Sequence, residues 1–122
     1  MYDAHKKPYI VVVGTGKAIQ AKEGVVHSLE ECGMPFRYRD CMPPSYGRKE
    51  MSVFERMEAP LGMIIAIGND KADVYYHGYD DKNPVLHYDF AEGMNTKMLY
   101  HLARRVGCNA ANIIYGKEIR EL

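Results

Sequence analysis

Residues 9–13, Tyr-Ile-Val-Val-Val, form an unbroken run of strand-favouring side chains, β-branched from Ile10 on, that ends in Gly14-Thr15-Gly16. A strand with one wet face alternates apolar and polar side chains. This run does not alternate, which is the pattern of a strand covered on both faces, as in a parallel sheet. Parallel neighbours need crossover connections, so the run predicts an α/β domain layered about a sheet. The next segment agrees. Ala18, Ala21, Val25, Leu29 and Cys32 recur at three and four residues with Val26 beside them, a helical stripe for the sheet, while Lys22, Glu23, His27 and Glu30 face outward.

That helix ends in a corner whose chemistry is local. Gly33 can take the left-handed conformation that closes a helix, and Pro35 holds its neighbour extended, so residues 28–36 turn sharply into a second strand at 36–39. Glu30 and Glu31 stand in the last turn, where acids oppose the helix dipole. Two readings follow: both are solvated, or something positive, a partner or a cation, meets them.

Farther along, Pro43 and Pro44 stiffen a connection, and Met51, Phe54 and Met57 at three-residue spacing predict a short helix before Pro60. Residues 61–67 are apolar throughout and predict a central strand. Gly68-Asn69-Asp70 then leaves too few residues for a crossover, so the tyrosine-rich strand at 73–77 should return antiparallel. Residues 85–88 make a fifth strand. Leu99, Leu102, Ala103, Val106, Ala110 and Ile113 mark a long last helix, within which Gly107 signals either the close approach of another backbone or a break; because the stripe continues in phase at Ala110 and Ile113, close packing on a neighbouring element is expected there. The expected architecture is one α/β domain over residues 1–122, three layers (α/β/α) around a mixed, mostly parallel five-stranded sheet with one antiparallel strand in a hairpin.

Composition removes several classes of function. Lysine plus arginine equal aspartate plus glutamate at 16 each, with no basic run, so nucleic acid is not an expected partner. Cys32, Cys41 and Cys108 are odd in number and follow no zinc spacing, which fits reduced thiols in the cytoplasm. The longest apolar run, 63–67, is too short to span a bilayer, and the N-terminus reads as lacking a signal peptide, so neither a membrane nor secretion is expected.

Candidate chemistry is sparse. Gly14-Thr15-Gly16-Lys17 sits where a phosphate-binding turn would, but Ile19 stands where a dinucleotide fingerprint needs glycine, and a plain strand-to-helix turn is the stronger reading. Histidines 5, 27, 77, 87 and 101 are scattered. Only His27 has company, with Glu23, His27 and Glu31 at i, i+4 and i+8, a solvated stripe or, less readily, a metal face. Cys32 lies on the packed stripe, and no serine or cysteine has a nucleophile setting. No catalytic residues are expected, and the chain reads as a non-enzyme. Tyr75, Tyr76, Tyr79 and Tyr88 gather about the hairpin, where tyrosine suits half-wet surfaces.

Three motifs carry a resemblance. Leu29-Glu30-Glu31-Cys32-Gly33-Met34-Pro35-Phe36 resembles an E-E-E-G-[IL]-P-F corner with cysteine for the third glutamate. Residues 60–77 resemble a hairpin that ends V-x-x-H. The stretch 107–116, Gly-Cys-Asn-Ala-Ala-Asn-Ile-Ile-Tyr-Gly, is similar to G-x-N-A-A-R-x-x-K-G, with Asn112 and Tyr115 in place of arginine and lysine. Together they resemble the small subunit of the diol and glycerol dehydratase reactivating factor and the related medium subunit of the coenzyme B12-dependent dehydratases.

The resemblance implies an anticodon-binding-domain-like fold and a chaperone role. It implies a nucleotide-hydrolysing large subunit as partner, with Glu30, Glu31 and His27 at the interface and Glu31 reaching a metal there. It implies that large subunits exchange between this chain and the dehydratase, which opens the dehydratase to release damaged cobalamin. No cofactor is expected on this chain alone; magnesium or calcium would be shared with the partner, since a carboxylate suits such hard cations. A cytoplasmic location, with association to a bacterial microcompartment, goes with it. The alternatives are a dehydratase medium subunit, disfavoured because those carry additional terminal segments, and a free-standing homo-oligomer that binds a small ligand.

Overall fold

β1 (Ile10–Gly14) is second from one edge of a five-stranded sheet in which β2 (Phe36–Arg39), β1, β3 (Met63–Ile67), β4 (Lys71–Tyr76) and β5 (Leu86–Asp89) lie in that order, with β3 central. The chain runs β1, α1 (Ile19–Glu31), β2, β3, β4, β5 and α2 (Thr96–Tyr115). This is a computed structural model, and it describes residues 8–14, 19–39, 59–77 and 83–116. β1 is parallel to both neighbours, with Val12 opposite Tyr38 on one side and Ile65 on the other. β4 is antiparallel to both of its own, with Ile65 opposite Val74 and Asp73 opposite His87. The mixed sheet with a single reversed strand is therefore as expected. The reversal follows from the turn after β3, where the Gly68 amide donates to the Lys71 carbonyl at 2.8 Å.

All four residues of the run Ile10 to Val13 are fully buried, and they divide between two cores. Ile10 and Val12 pack with Ala21, Val25 and Leu29 of α1 and with Ala103, Val106 and Ala110 of α2. Val11 and Val13 pack on the other face with Ile64 and Tyr75. Both described helices thus cover one face. The short helix expected from Met51, Phe54 and Met57, which would form the third layer, lies outside the described residues.

The corner after α1 closes as a Schellman turn. Gly33 has φ 67°, the Gly33 amide donates to the Glu30 carbonyl at 3.0 Å, and the Met34 amide donates to the Leu29 carbonyl at 2.9 Å. Met34 and Leu29, the two side chains such a turn brings together, are both buried in the core. The Pro35 carbonyl then accepts from the Ile10 amide at 2.9 Å, which docks β2 against β1.

α2 is continuous through Gly107, so of the two readings of that glycine the close approach is correct. It starts three residues before Leu99 because Asn95 caps it, accepting from the Met98 amide at 2.8 Å, and ends at Gly116 with φ 71°. A methyl at Gly107 would lie 1.9 Å from Ser28 Oγ and 2.8 Å from the Val25 carbonyl of α1. One at Gly24 would lie 2.5 Å from the Tyr100 carbonyl and 2.6 Å from Ala103 Cβ of α2. The helices press together through these two positions, one on each.

Candidate functional site

Because α1 and α2 lie so close, their side-chain ladders meet. His27 and Glu31 stand one turn apart on α1, as Tyr100 and Arg104 do on α2, so the pairs come into register. The Arg104 guanidinium grips Glu31 with both ends of its fork, Nη1 to Oε1 at 2.8 Å and Nη2 to Oε2 at 2.5 Å. It also donates to the Tyr100 hydroxyl at 3.4 Å and lies 5.8 Å from that ring's centroid. The Tyr100 hydroxyl in turn sits 2.8 Å from His27 Nδ1, with the two rings edge to face at 5.7 Å. Since the hydroxyl accepts from Arg104, its own proton is free for His27 Nδ1.

This seam answers the dipole argument from within the chain. The positive charge that meets the last turn of α1 is Arg104. Its hydrogen bonds hold the Glu31 carboxyl below the usual carboxylate range, and Glu31 holds the guanidinium above its ordinary value. Of the Glu23, His27, Glu31 triplet, two members are tied to α2, while Glu23 and Glu30 are exposed. Arg104 and Tyr100 were not singled out by sequence reasoning. The available signal was their i, i+4 spacing, the same as that of His27 and Glu31.

Beside the seam is a cleft of about 490 Å³ between the end of α1 and the middle of α2, lined among others by Glu31, Cys32, Arg104, Arg105 and Cys108. Cys32, expected on the packed stripe, is half-buried, as is Cys108. Asn112 Nδ2 donates to Cys108 Sγ at 3.9 Å. The Tyr115 hydroxyl donates to the Cys32 carbonyl at 3.0 Å, so α2 ties down the corner at a second point. The two positions that depart from the G-x-N-A-A-R-x-x-K-G pattern therefore both make contacts within the chain.

A second polar cluster lies across the β4–β5 pair. Asp73 and His87 are cross-strand partners, and His87 Nδ1 bonds Asp73 Oδ1 while Nε2 bonds Asp89 Oδ1 at 2.9 Å. Asp73 is buried beside this contact, whereas Asp89 is exposed. The hydrogen bond to Asp73, then that to Asp89, raises His87 above the ordinary imidazole value of 6.5. The clamp's contribution to stability is therefore complete below about pH 6.5 and fades as the pH rises through the higher folded-state pKa. We expect His87→Gln to lose stability relative to wild type at pH 6, with the gap narrowing at high pH; thermal melts across that range, parallel at every pH, would refute this.

Other expected sites resolve as follows. Thr15, Gly16, Lys17, His5, Cys41 and Tyr79 lie outside the described residues. Gly14 is crowded by a side chain: a methyl there would lie 2.1 Å from the Tyr38 hydroxyl. The tyrosines near the hairpin do not form one wet patch, since Tyr75 and Tyr88 are buried in cores on opposite faces. Asn109, 1% exposed, donates to the Tyr88 hydroxyl at 3.1 Å and so fixes α2 to β5, while burial raises the Tyr88 phenol. Among the described residues, no group of three histidine, cysteine or carboxylate side chains could hold a metal ion by itself, and no helix is long and apolar enough to cross a membrane.

No protein-family model matches the chain. No curated protein matches it significantly. Among solved structures it is similar to a diol dehydratase-reactivating factor complexed with ADP and Mg2+, with a TM-score of 0.69 and 20% identity over 95% of this chain and 100% of the other. It is also similar to a glycerol dehydratase reactivase, with a TM-score of 0.69 and 15% identity over 94% of this chain and 98% of the other. At these identities the likeness is one of fold, and it extends over nearly the whole chain.

Proposed function

We propose that this chain is the non-catalytic small subunit of a reactivating factor for a coenzyme B12-dependent diol or glycerol dehydratase. In this reading it pairs reversibly with a nucleotide-hydrolysing large subunit, and exchange of that subunit with the dehydratase frees damaged cobalamin. One observation carries the reading: the full-length overlap in fold with a chain of two such factors, at TM-scores of 0.69. The E-E-C-G-M-P-F corner and the motif at 107–116 support it independently of the fold.

Glu31 is the residue this reading puts at the partner. Its side chain is 59% exposed although both oxygens are engaged. Exposed ion pairs contribute little to stability, so the carboxylate is available for exchange. The donor set fits one ligand of a shared magnesium or calcium ion and not a whole site. Such an ion would supply electrostatic bridging between subunits; this chain's part is to hold a hard oxygen donor on a rigid corner. His27 and Glu30, on the same end of α1, would lie at the contact.

The decisive experiment is association of the full chain with a reactivase large subunit in the presence of ADP and Mg2+. Wild type is expected to bind, and Glu31→Ala to bind about tenfold or more weakly with an unchanged melting curve. The isolated chain is expected to turn over no ATP. Equal affinity of the two chains would remove Glu31 from the interface, and no binding by wild type would remove the function.

A further inference from the structure

Arg104 occupies both oxygens of the carboxylate that the reading above offers to a partner's ion. We infer that Arg104 is an internal competitor for Glu31, so that cation capture by this corner requires the guanidinium to let go. The inference rests on the proposed role of Glu31.

The geometry supports competition over cooperation. A bidentate fork leaves neither Glu31 oxygen without a cationic partner, and Arg104 lies in the same cleft as a second cation, Arg105. An incoming divalent ion would meet the charge of the Arg104 guanidinium at both oxygens until the fork opens. Opening is feasible because the Arg104 side chain is 32% exposed and retains the Tyr100 hydroxyl and ring as alternative support. The pair therefore keeps the rim carboxylate neutralised in the free subunit and makes its release conditional on a surface that presents a stronger cation.

The test uses Mn2+ alone as a paramagnetic probe on the full chain, read from line broadening of backbone amides. In wild type the amides of residues 28–33 should remain sharp at Mn2+ concentrations that broaden them in Arg104→Gln. The double variant Arg104→Gln/Glu31→Gln should return to sharp lines, and Arg104→Lys, charged but without the fork, should fall between. The spectra themselves report whether each variant is folded. In the association assay, Arg104→Gln should bind the Mg2+-loaded large subunit about two- to fivefold more tightly, as expected for removal of an exposed pair. Equal broadening in wild type and Arg104→Gln, or broadening that survives in the double variant, would overturn the inference, as would weaker binding by Arg104→Gln. These outcomes are separable from failure of the functional reading, which wild-type binding to the large subunit decides, and from failure of the role of Glu31, which the Glu31→Ala comparison decides.

Discussion

Gly107→Ala is expected to destabilise the protein, although alanine is the better helix former by about 1 kcal/mol. The added methyl meets Ser28 Oγ at 1.9 Å and the Val25 carbonyl at 2.8 Å. Ser28 could rotate only by giving up its 2.8 Å bond to that same carbonyl. The carbonyl belongs to the α1 backbone and cannot move unless the helix does. Overpacking of this kind costs about 1–3 kcal/mol, and a net loss of 2 kcal/mol would lower Tm by roughly 5–10 °C in a domain of this size. Adding Ser28→Ala should recover only part of the loss, because the carbonyl contact remains. An unchanged or raised Tm for Gly107→Ala would show that the helices do not touch there.

Leu29→Ala should cost more, about 2–5 kcal/mol, since Leu29 is fully buried between α1 and the sheet and its truncation leaves a cavity. It is also one half of the apolar contact that accompanies the Schellman turn, so the loss reaches beyond the core. The turn that carries Glu31 should loosen, with faster amide exchange at Gly33 and Met34 than Val25→Ala produces. Chemical denaturation of both variants, with hydrogen exchange on the corner, tests this. Equal exchange in the two would mean that the corner is held by its backbone bonds alone.

The difference between these residues and the polar seam shows what a single chain makes readable. The Gly33 corner, the turn at 68–70 and the part of the α1 stripe at Ala21, Val25 and Leu29 are set by residues within a few positions of one another, and the structure has each of them; Ala18 of that stripe lies outside the described residues. An interior glycine such as Gly107 can precede a break or lie under a crossing helix, and the apolar stripe continuing in phase at Ala110 and Ile113 decided for the crossing, which the structure has. Glu30 and Glu31 stood out together because their charge opposes the dipole of their own helix, and only the resemblance to the reactivating-factor corner chose Glu31 between them. Arg104, which resolves that opposition, is 73 residues away, and only the docking of α2 beside α1 brings it near. The Asp73–His87 pair needed the β4–β5 register, which no short pattern reports. Tyr88 and Asn109 were legible as strand and helix positions but not as a buried bond between them.

The same separation has a temporal side. Residues leave the ribosome at about 5–20 per second, so Glu31 emerges roughly 4–15 s before Arg104 can exist to meet it. During that interval the corner can already close, because its hydrogen bonds are local, and it holds a carboxylate with no guanidinium beside it. The nascent chain therefore passes through a stage in which the carboxylate proposed for partner recognition exists without its restraint. The restraint on Glu31 is thus made last, when α2 docks on α1.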